Sequence, residues 1–210
     1  MPRQSSNEQN NAYDSVDPYL AFLVFAGLGL GTWAIDPQLR LTILWIALGT
    51  AVLLYAERGY LELDYSLLNL GRGALLGLIL SLPLLIFLKD PLHAMARQLF
   101  VTNDVLALFH RLIFVAAPIE EAFFRGYLQQ ERGLLPGIGA YALAGLIYWL
   151  PTTPLLALLI ITAAMGVLGG IYGYVRRRYG LTASIGCSMV VYFVLMVCPG
   201  LIDAIIEMLV

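Results

Sequence analysis

The stretch Pro118-Ile119-Glu120-Glu121-Ala122-Phe123-Phe124-Arg125-Gly126 sets two adjacent carboxylates and an arginine inside a run, Val105 to Leu128, that otherwise reads as membrane-spanning. Ionisable groups at that depth are expensive to keep, so they are functional candidates by default. The rest of the chain supplies the setting. Hydrophobic residues make up 60% of it and charged residues 12%, and the mean hydropathy of +0.81 suits a chain whose solvent is largely lipid.

Working outward, Tyr19 to Ile35, Leu41 to Ala56 and Gly73 to Leu88 each approach the ~20 residues needed to cross the hydrocarbon core. Gly137 to Leu150, Leu155 to Val175 and Ala183 to Val197 follow, with a short final run from Leu201 to Val210. That makes roughly seven spans and a C-terminal half-span, re-entrant or interfacial. Strand-like alternation is absent, and a bilayer admits only helices or closed barrels. The expected fold is all-α, a polytopic transmembrane helical bundle of roughly seven to eight helices. No Pro/Gly/Ser-rich linker divides it, so residues 18–210 read as a single bundle. Residues 1–17 are polar, with Asp14 and Asp17 and no basic region before a short apolar run. They read as a disordered tail and not as a cleaved signal peptide.

Arginine and lysine give the orientation. Arg176, Arg177 and Arg178 form the only basic cluster and mark a cytoplasmic end. Counting back through alternating spans puts Arg132, Arg72, Arg58 and Arg3 on the same side, against Arg40, Lys89 and Arg97 opposite. The bias predicts a cytoplasmic N-terminus. A net charge of -2 with no basic, aromatic-interleaved patch argues against a nucleic-acid partner. Cys187 and Cys198 read as small packing residues, and His93 and His110 are too few and scattered for a zinc site.

Two connectors look amphipathic, Leu61 to Leu70 and Asp90 to Asn103, and each is expected either to lie along the membrane surface or to pack as a loop on the bundle. Gly27, Gly29 and Gly31, and Gly166, Gly169, Gly170 and Gly173, have the spacing of close helix contacts. On a helix Glu121 and Arg125 are i,i+4, the order in which a glutamate pairs best with a following cation. Glu120 points about 100° away, free to face a cavity as a general base. The other reading of the same three residues is a buried ionic cluster that fixes helix register.

Glu120-Glu121-x-x-x-Arg125, followed by Gly126-Tyr127-Leu128-Gln129, resembles the first signature motif of the CPBP family. That family, also called ABI, includes the type II CAAX prenyl endopeptidases and bacterial proteins linked to bacteriocin self-immunity. The run Gly169-Gly170-Ile171-Tyr172-Gly173-Tyr174-Val175, a basic turn, and Gly180-Leu181-Thr182-Ala183-Ser184-Ile185-Gly186 resembles the family's approach to its last motif. The motifs lie between Phe109 and Val194, inside a CPBP-like core of residues 104–197. The resemblance implies peptide-bond hydrolysis within the membrane without metal or cofactor, on a peptide or lipid-modified protein substrate. It makes Glu120 the water-activating carboxylate, Glu121 its acidic neighbour and Arg125 the motif arginine.

The later motifs depart from the pattern. Where the family has Phe-x-x-x-His, this chain has Leu146-Ile147-Tyr148-Trp149-Leu150-Pro151-Thr152, without histidine. The His-x-x-x-Asn motif aligns with Ser188-Met189-Val190-Val191-Tyr192, with serine and tyrosine at the polar positions. Ser188 and Tyr192 keep hydroxyl donors at i,i+4 and are expected to face Glu120, although neither holds and passes a proton as histidine does. His110, ten residues before Glu120, stands about 15 Å away along one helix. Two functions follow: a divergent intramembrane glutamate endopeptidase, or a catalytically inactive relative that binds or assembles with a membrane partner. A proton or ion path through Glu120 and Glu121 would need a longer polar chain than the sequence supplies. A bacterial plasma membrane is the expected location.

Overall fold

The computed structural model describes residues 17–57, 66–102 and 104–209, which form seven helices and, among the described residues, no strand. The helices are α1 (Pro18–Gly31), α2 (Pro37–Ala56), α3 (Leu67–Phe100), α4 (105–132), α5 (Leu134–Trp149), α6 (Leu155–Tyr179) and α7 (Leu181–Leu209). The all-α bundle expected from the sequence is the fold observed. Among the described residues four helices are long and apolar enough to cross a membrane: α2, α3, α6 and α7. The apolar α1 and α5 have 14 and 16 residues, about 21 and 24 Å, short of the ~30 Å hydrocarbon core. This is an integral membrane protein with four candidate spans, the shorter helices packed among them.

Local chemistry sets where the helices begin. Asp17 and Asp36 cap α1 and α2, their carboxylates accepting from the N–H of Tyr19 (2.8 Å) and Gln38 (3.0 Å), with Pro18 and Pro37 at the first helical position. Asp104 caps α4 in the same way through Leu106 and Ala107. Gly133 and Gly180, with φ of 92° and 91°, make the left-handed turns into α5 and α7 that a side chain would resist.

Three of the helical prolines, Pro91, Pro118 and Pro199, coincide with departures from regular α-helix, whereas Pro83 sits in α3 without a break. The ring of a helical proline collides with the carbonyl four residues back and returns no N–H to it. Pro91 puts that strain at Phe87, and the helix breaks next to it at Leu88 (φ -126°, ψ 21°). Pro118 and Pro199 put it at Phe114 and Leu195, which lie in the π-helical turns Arg111–Ala116 and Phe193–Val197. The widened π turn absorbs the clash without ending the helix. A third π turn, Ala122–Leu128, follows the two glutamates.

The helix bounds correct three sequence expectations. Asp90 to Phe100 is no connector; it continues α3 beyond the kink. Leu201 to Leu209 is no separate half-span; the π turn carries α7 past Pro199 without interruption. Of Leu61 to Leu70, the part from Leu67 already belongs to α3. Residues 61–65, Arg58, Asn103 and the proposed tail up to residue 16 lie outside the described residues.

Helix α4 is enclosed over its last π turn. Every residue of its Ala122–Leu128 turn is buried, as expected of a helix enclosed on all sides. Phe22 and Phe25 of α1, Tyr55 of α2, Tyr141 of α5 and Tyr172 of α6 join Phe124 and Tyr127 of α4 in one aromatic core. Helices α3 and α7 meet backbone to backbone: a Cβ at Gly77 would stand 2.6 Å from the Cys187 carbonyl, and one at Gly186 2.8 Å from that of Leu70. Small residues permit this approach, the main source of helix affinity where lipid is the solvent. Gly29 and Gly173 serve the same purpose against Ile147 and Leu134, while Gly27 and Gly31 face open space.

Arg40 ties the opposite end together. Buried, and without a carboxylate partner among the described residues, it donates to the carbonyls of Gly29 at 2.9 Å, Ile147 at 2.6 Å and Tyr148 at 3.2 Å. One guanidinium thus caps the C-terminal ends of α1 and α5, where a cation is favoured by the helix dipole.

Candidate active site

The π turns flank the five-residue segment Ala117–Glu121 and fix which way the two carboxylates face. Glu120 is buried toward α2 and α7. Its Oε1 accepts from Trp45 Nε1 at 3.2 Å and its Oε2 from the Tyr192 hydroxyl at 2.6 Å. Beside it lies a cavity of about 50 Å³, whose walls include Trp45, Leu112, Tyr148, Tyr192 and Met196. That volume exceeds the 10–15 Å³ or so that one water requires. The buried Tyr148 hydroxyl lies on the cavity wall and interacts with the Glu120 carboxylate, without a hydrogen bond of good geometry.

Glu121 faces the other way, into a closed polar cluster. Its Oε2 accepts from the Ser184 hydroxyl of α7 and pairs with Arg125 Nε at 3.9 Å. Arg125 donates to the Gly137 carbonyl at 3.4 Å and lies over the Tyr141 ring, 4.6 Å from its centroid. Gln129 donates to the Gly173 carbonyl at 3.1 Å. Glycine makes room for this cluster: a Cβ at Gly169 would stand 3.1 Å from Tyr141 and 3.4 Å from the guanidinium. The Gly169-to-Gly173 run is therefore the floor on which Arg125 and Gln129 rest. Glu121 Oε1, Arg125 Nε and Nη2 and Gln129 Oε1 make no hydrogen bond, so the cluster is tightly enclosed but incompletely satisfied.

Of the residues singled out in the sequence, Glu120 and Tyr192 are brought together and Glu121 and Arg125 are paired. Ser188 is not brought to Glu120. Although buried, its hydroxyl donates to the Ile185 carbonyl of its own helix at 3.0 Å, and it does not line the cavity. A serine bonding back to its own turn is the ordinary state of a mid-helix serine. His93 is committed elsewhere. Its Nδ1 meets Asp203 Oδ2 at 2.6 Å, and Lys89 pairs with the same carboxylate, tying the outer leg of α3 to the last turns of α7. His110 packs against Phe109 and Phe114. Cys187 and Cys198 are free thiols. Among the described residues no three His, Cys, Asp or Glu side chains converge as a metal site would need.

Trp45 and Ser184 are the members that sequence reasoning missed. Trp45 lies mid-span, whereas tryptophan favours the membrane interfaces. A buried indole N–H needs an acceptor, and that was the available signal. Ser184 lies in the run Gly180 to Gly186, but its tie to Glu121 spans 63 positions, and no local pattern encodes it.

The family described as Type II CAAX prenyl endopeptidase Rce1-like matches residues 102–196, a stretch that holds Glu120, Tyr148, Tyr192 and the whole Glu121 cluster. The comparison with curated proteins gave no match, and neither did the comparison with solved structures.

Proposed function

From a chain that carries an Rce1-like type II CAAX prenyl endopeptidase family domain over residues 102–196, we propose a membrane-embedded endopeptidase in which Glu120 activates water against a peptide bond. The observation that carries this reading is the cavity of about 50 Å³ beside Glu120, with the Tyr148 hydroxyl next to the carboxylate on its wall. A water there gives its proton to Glu120 as its oxygen attacks the scissile carbonyl, and the Tyr148 hydroxyl donates to the developing oxyanion. Glu120 then returns the proton to the departing amine as the C–N bond breaks. Tyr192 orients the carboxylate. Glu121, Arg125 and Ser184 hold the helix that presents Glu120, and Ser188 supports the Tyr192 helix without touching the reaction. The substrate is a peptide or lipid-modified protein reached within or beside the bilayer. The reading takes the membrane to be a bacterial plasma membrane, with the N-terminus on its cytoplasmic face as the arginine bias favours.

A second reading rests on a different observation. Both Glu120 oxygens already accept hydrogen bonds, and no imidazole stands on the cavity wall. A bundle built this way also suits an inactive relative that binds a membrane partner. Comparing new peptide N-termini in cells carrying the wild-type protein or Glu120→Gln, at matched membrane abundance, separates the two. Termini that vanish in the variant identify a glutamate-dependent peptidase and its substrate. Identical profiles with a stable variant favour the binding partner.

A further inference from the structure

Trp45 borders two spaces. On one side its indole N–H holds Glu120 Oε1 and its ring stacks on Phe100 within the wall of the Glu120 cavity. On the other it forms the inner wall of a groove of about 280 Å³ between α2 and α4, lined also by Ile46, Gly49, Leu53, Val115 and Ile119. Among the described residues Trp45 is the side chain common to both. The groove lies on a candidate span, and Ile46 and Leu53 at its rim are exposed by 62% and 65%. On a spanning helix such residues face hydrocarbon. Gly49 gives the groove its depth, since a Cβ there would reach Ile119 at 3.5 Å.

A third cavity, of about 170 Å³, adjoins the Glu120 cavity through shared walls at Leu41, Leu99 and Tyr148. Its other walls include Arg40 and Thr152, so it has polar groups that the α2–α4 groove lacks apart from threonine hydroxyls. Glu120 therefore stands between a polar approach past Tyr148 and an apolar approach past Trp45.

We propose that Trp45 is a positioning residue and a lateral gate. Seated, its indole orients Glu120 and closes the α2–α4 groove. Swung aside, it joins that groove to the Glu120 cavity, admits an apolar segment of a bilayer-embedded peptide and releases Glu120 Oε1 in the same motion. That the admitted segment is a substrate rests on the peptidase reading; the gate itself does not.

The test uses N,N′-dicyclohexylcarbodiimide, an apolar carboxyl reagent that partitions into bilayers. The carboxylic acid adds across one C=N bond, its oxygen bonding to carbon and its proton passing to nitrogen, and the O-acylisourea rearranges to a stable N-acylurea with nothing lost. Adducts on Glu120 are read by peptide mass spectrometry of the full chain in membranes, with Glu121 as internal control. Trp45→Phe keeps the ring stack but removes the donor, and loss of a hydrogen bond to a carboxylate shifts an opening equilibrium by about tenfold. Glu120 labelling is expected to accelerate by that factor in Trp45→Phe and to fall below wild type in Gly49→Phe, which fills the groove from its bilayer side. Labelling by a water-soluble carbodiimide is expected to be unaffected by Gly49→Phe. Equal apolar labelling in all three proteins, or none at Glu120, overturns the gate. Groove-dependent labelling together with unchanged peptide termini in Glu120→Gln would keep the gate and remove the peptidase.

Discussion

Glu120 opens on a cavity of about 50 Å³ with aromatic donors around it, whereas Glu121, one peptide bond further, is sealed among Arg125, Ser184 and the glycines of α6. Both side chains are buried on the same helix, so depth in the membrane does not separate them. Direction does. The step of about 100° between helical neighbours sends one carboxylate toward α2 and α7 and the other toward the α6 floor. Two acids in one motif can thus divide the work, one left with space for chemistry and the other immobilised as a strut. The comparison predicts that substitutions on the sealed side lower stability, while substitutions on the open side lower turnover and leave the fold standing.

The largest effect is expected from Arg125→Ala. Removing one partner of a buried ion pair leaves an uncompensated charge and typically costs about 3–5 kcal/mol. Arg125 also loses its packing over Tyr141 and its bond to Gly137. Unfolding in mixed micelles should show this loss, and the double variant Glu121→Leu, Arg125→Met should recover most of it, because an apolar pair leaves no stranded charge. If Arg125→Ala unfolded like wild type, the cluster would not be a strut and the division between the two glutamates would fail.

Tyr148→Phe probes the open side. Loss of one oxyanion donor lowers turnover by roughly 10²- to 10³-fold, and because the Tyr148 hydroxyl makes no hydrogen bond of good geometry within the protein, stability should change much less than turnover. The measurement pairs the release rate of any Glu120-dependent terminus with the unfolding midpoint. Loss of stability with unchanged turnover would make Tyr148 a core residue and leave the cavity without an oxyanion donor.

How far these roles were legible in the sequence depended on range. Hydropathy gave the bundle, because apolar length is a local property, and the i,i+4 spacing gave the Glu121–Arg125 pair. Proline positions mark the break at Leu88 and the π turns around Phe114 and Leu195, yet by composition Asp90 to Asn103 reads as a connector and the run after Pro199 as a separate piece. Composition alone does not reveal whether a helix breaks at proline or widens into a π turn. The partners of Glu120 were the least legible. Trp45 and Tyr192 lie 75 and 72 positions away, and only the packing of α2 and α7 against α4 brings them in.

Ser188 and Ser184 carry the same contrast to its smallest expected effect. They sit one turn apart on α7, both buried, yet Ser184 donates to Glu121 while Ser188 donates to its own helix at Ile185. Ser184→Ala strands a buried carboxylate oxygen, for about 1–3 kcal/mol of lost stability. Ser188→Ala removes a bond that stays within the turn of its own helix, so the change should stay within about 0.5 kcal/mol. Unfolding of the two variants side by side checks the order. A Ser188→Ala protein that kept its stability but lost Glu120-dependent cleavage would show that the hydroxyl turns toward Glu120 during the reaction. The open side would then extend one helical turn further along α7 than the resting geometry places it.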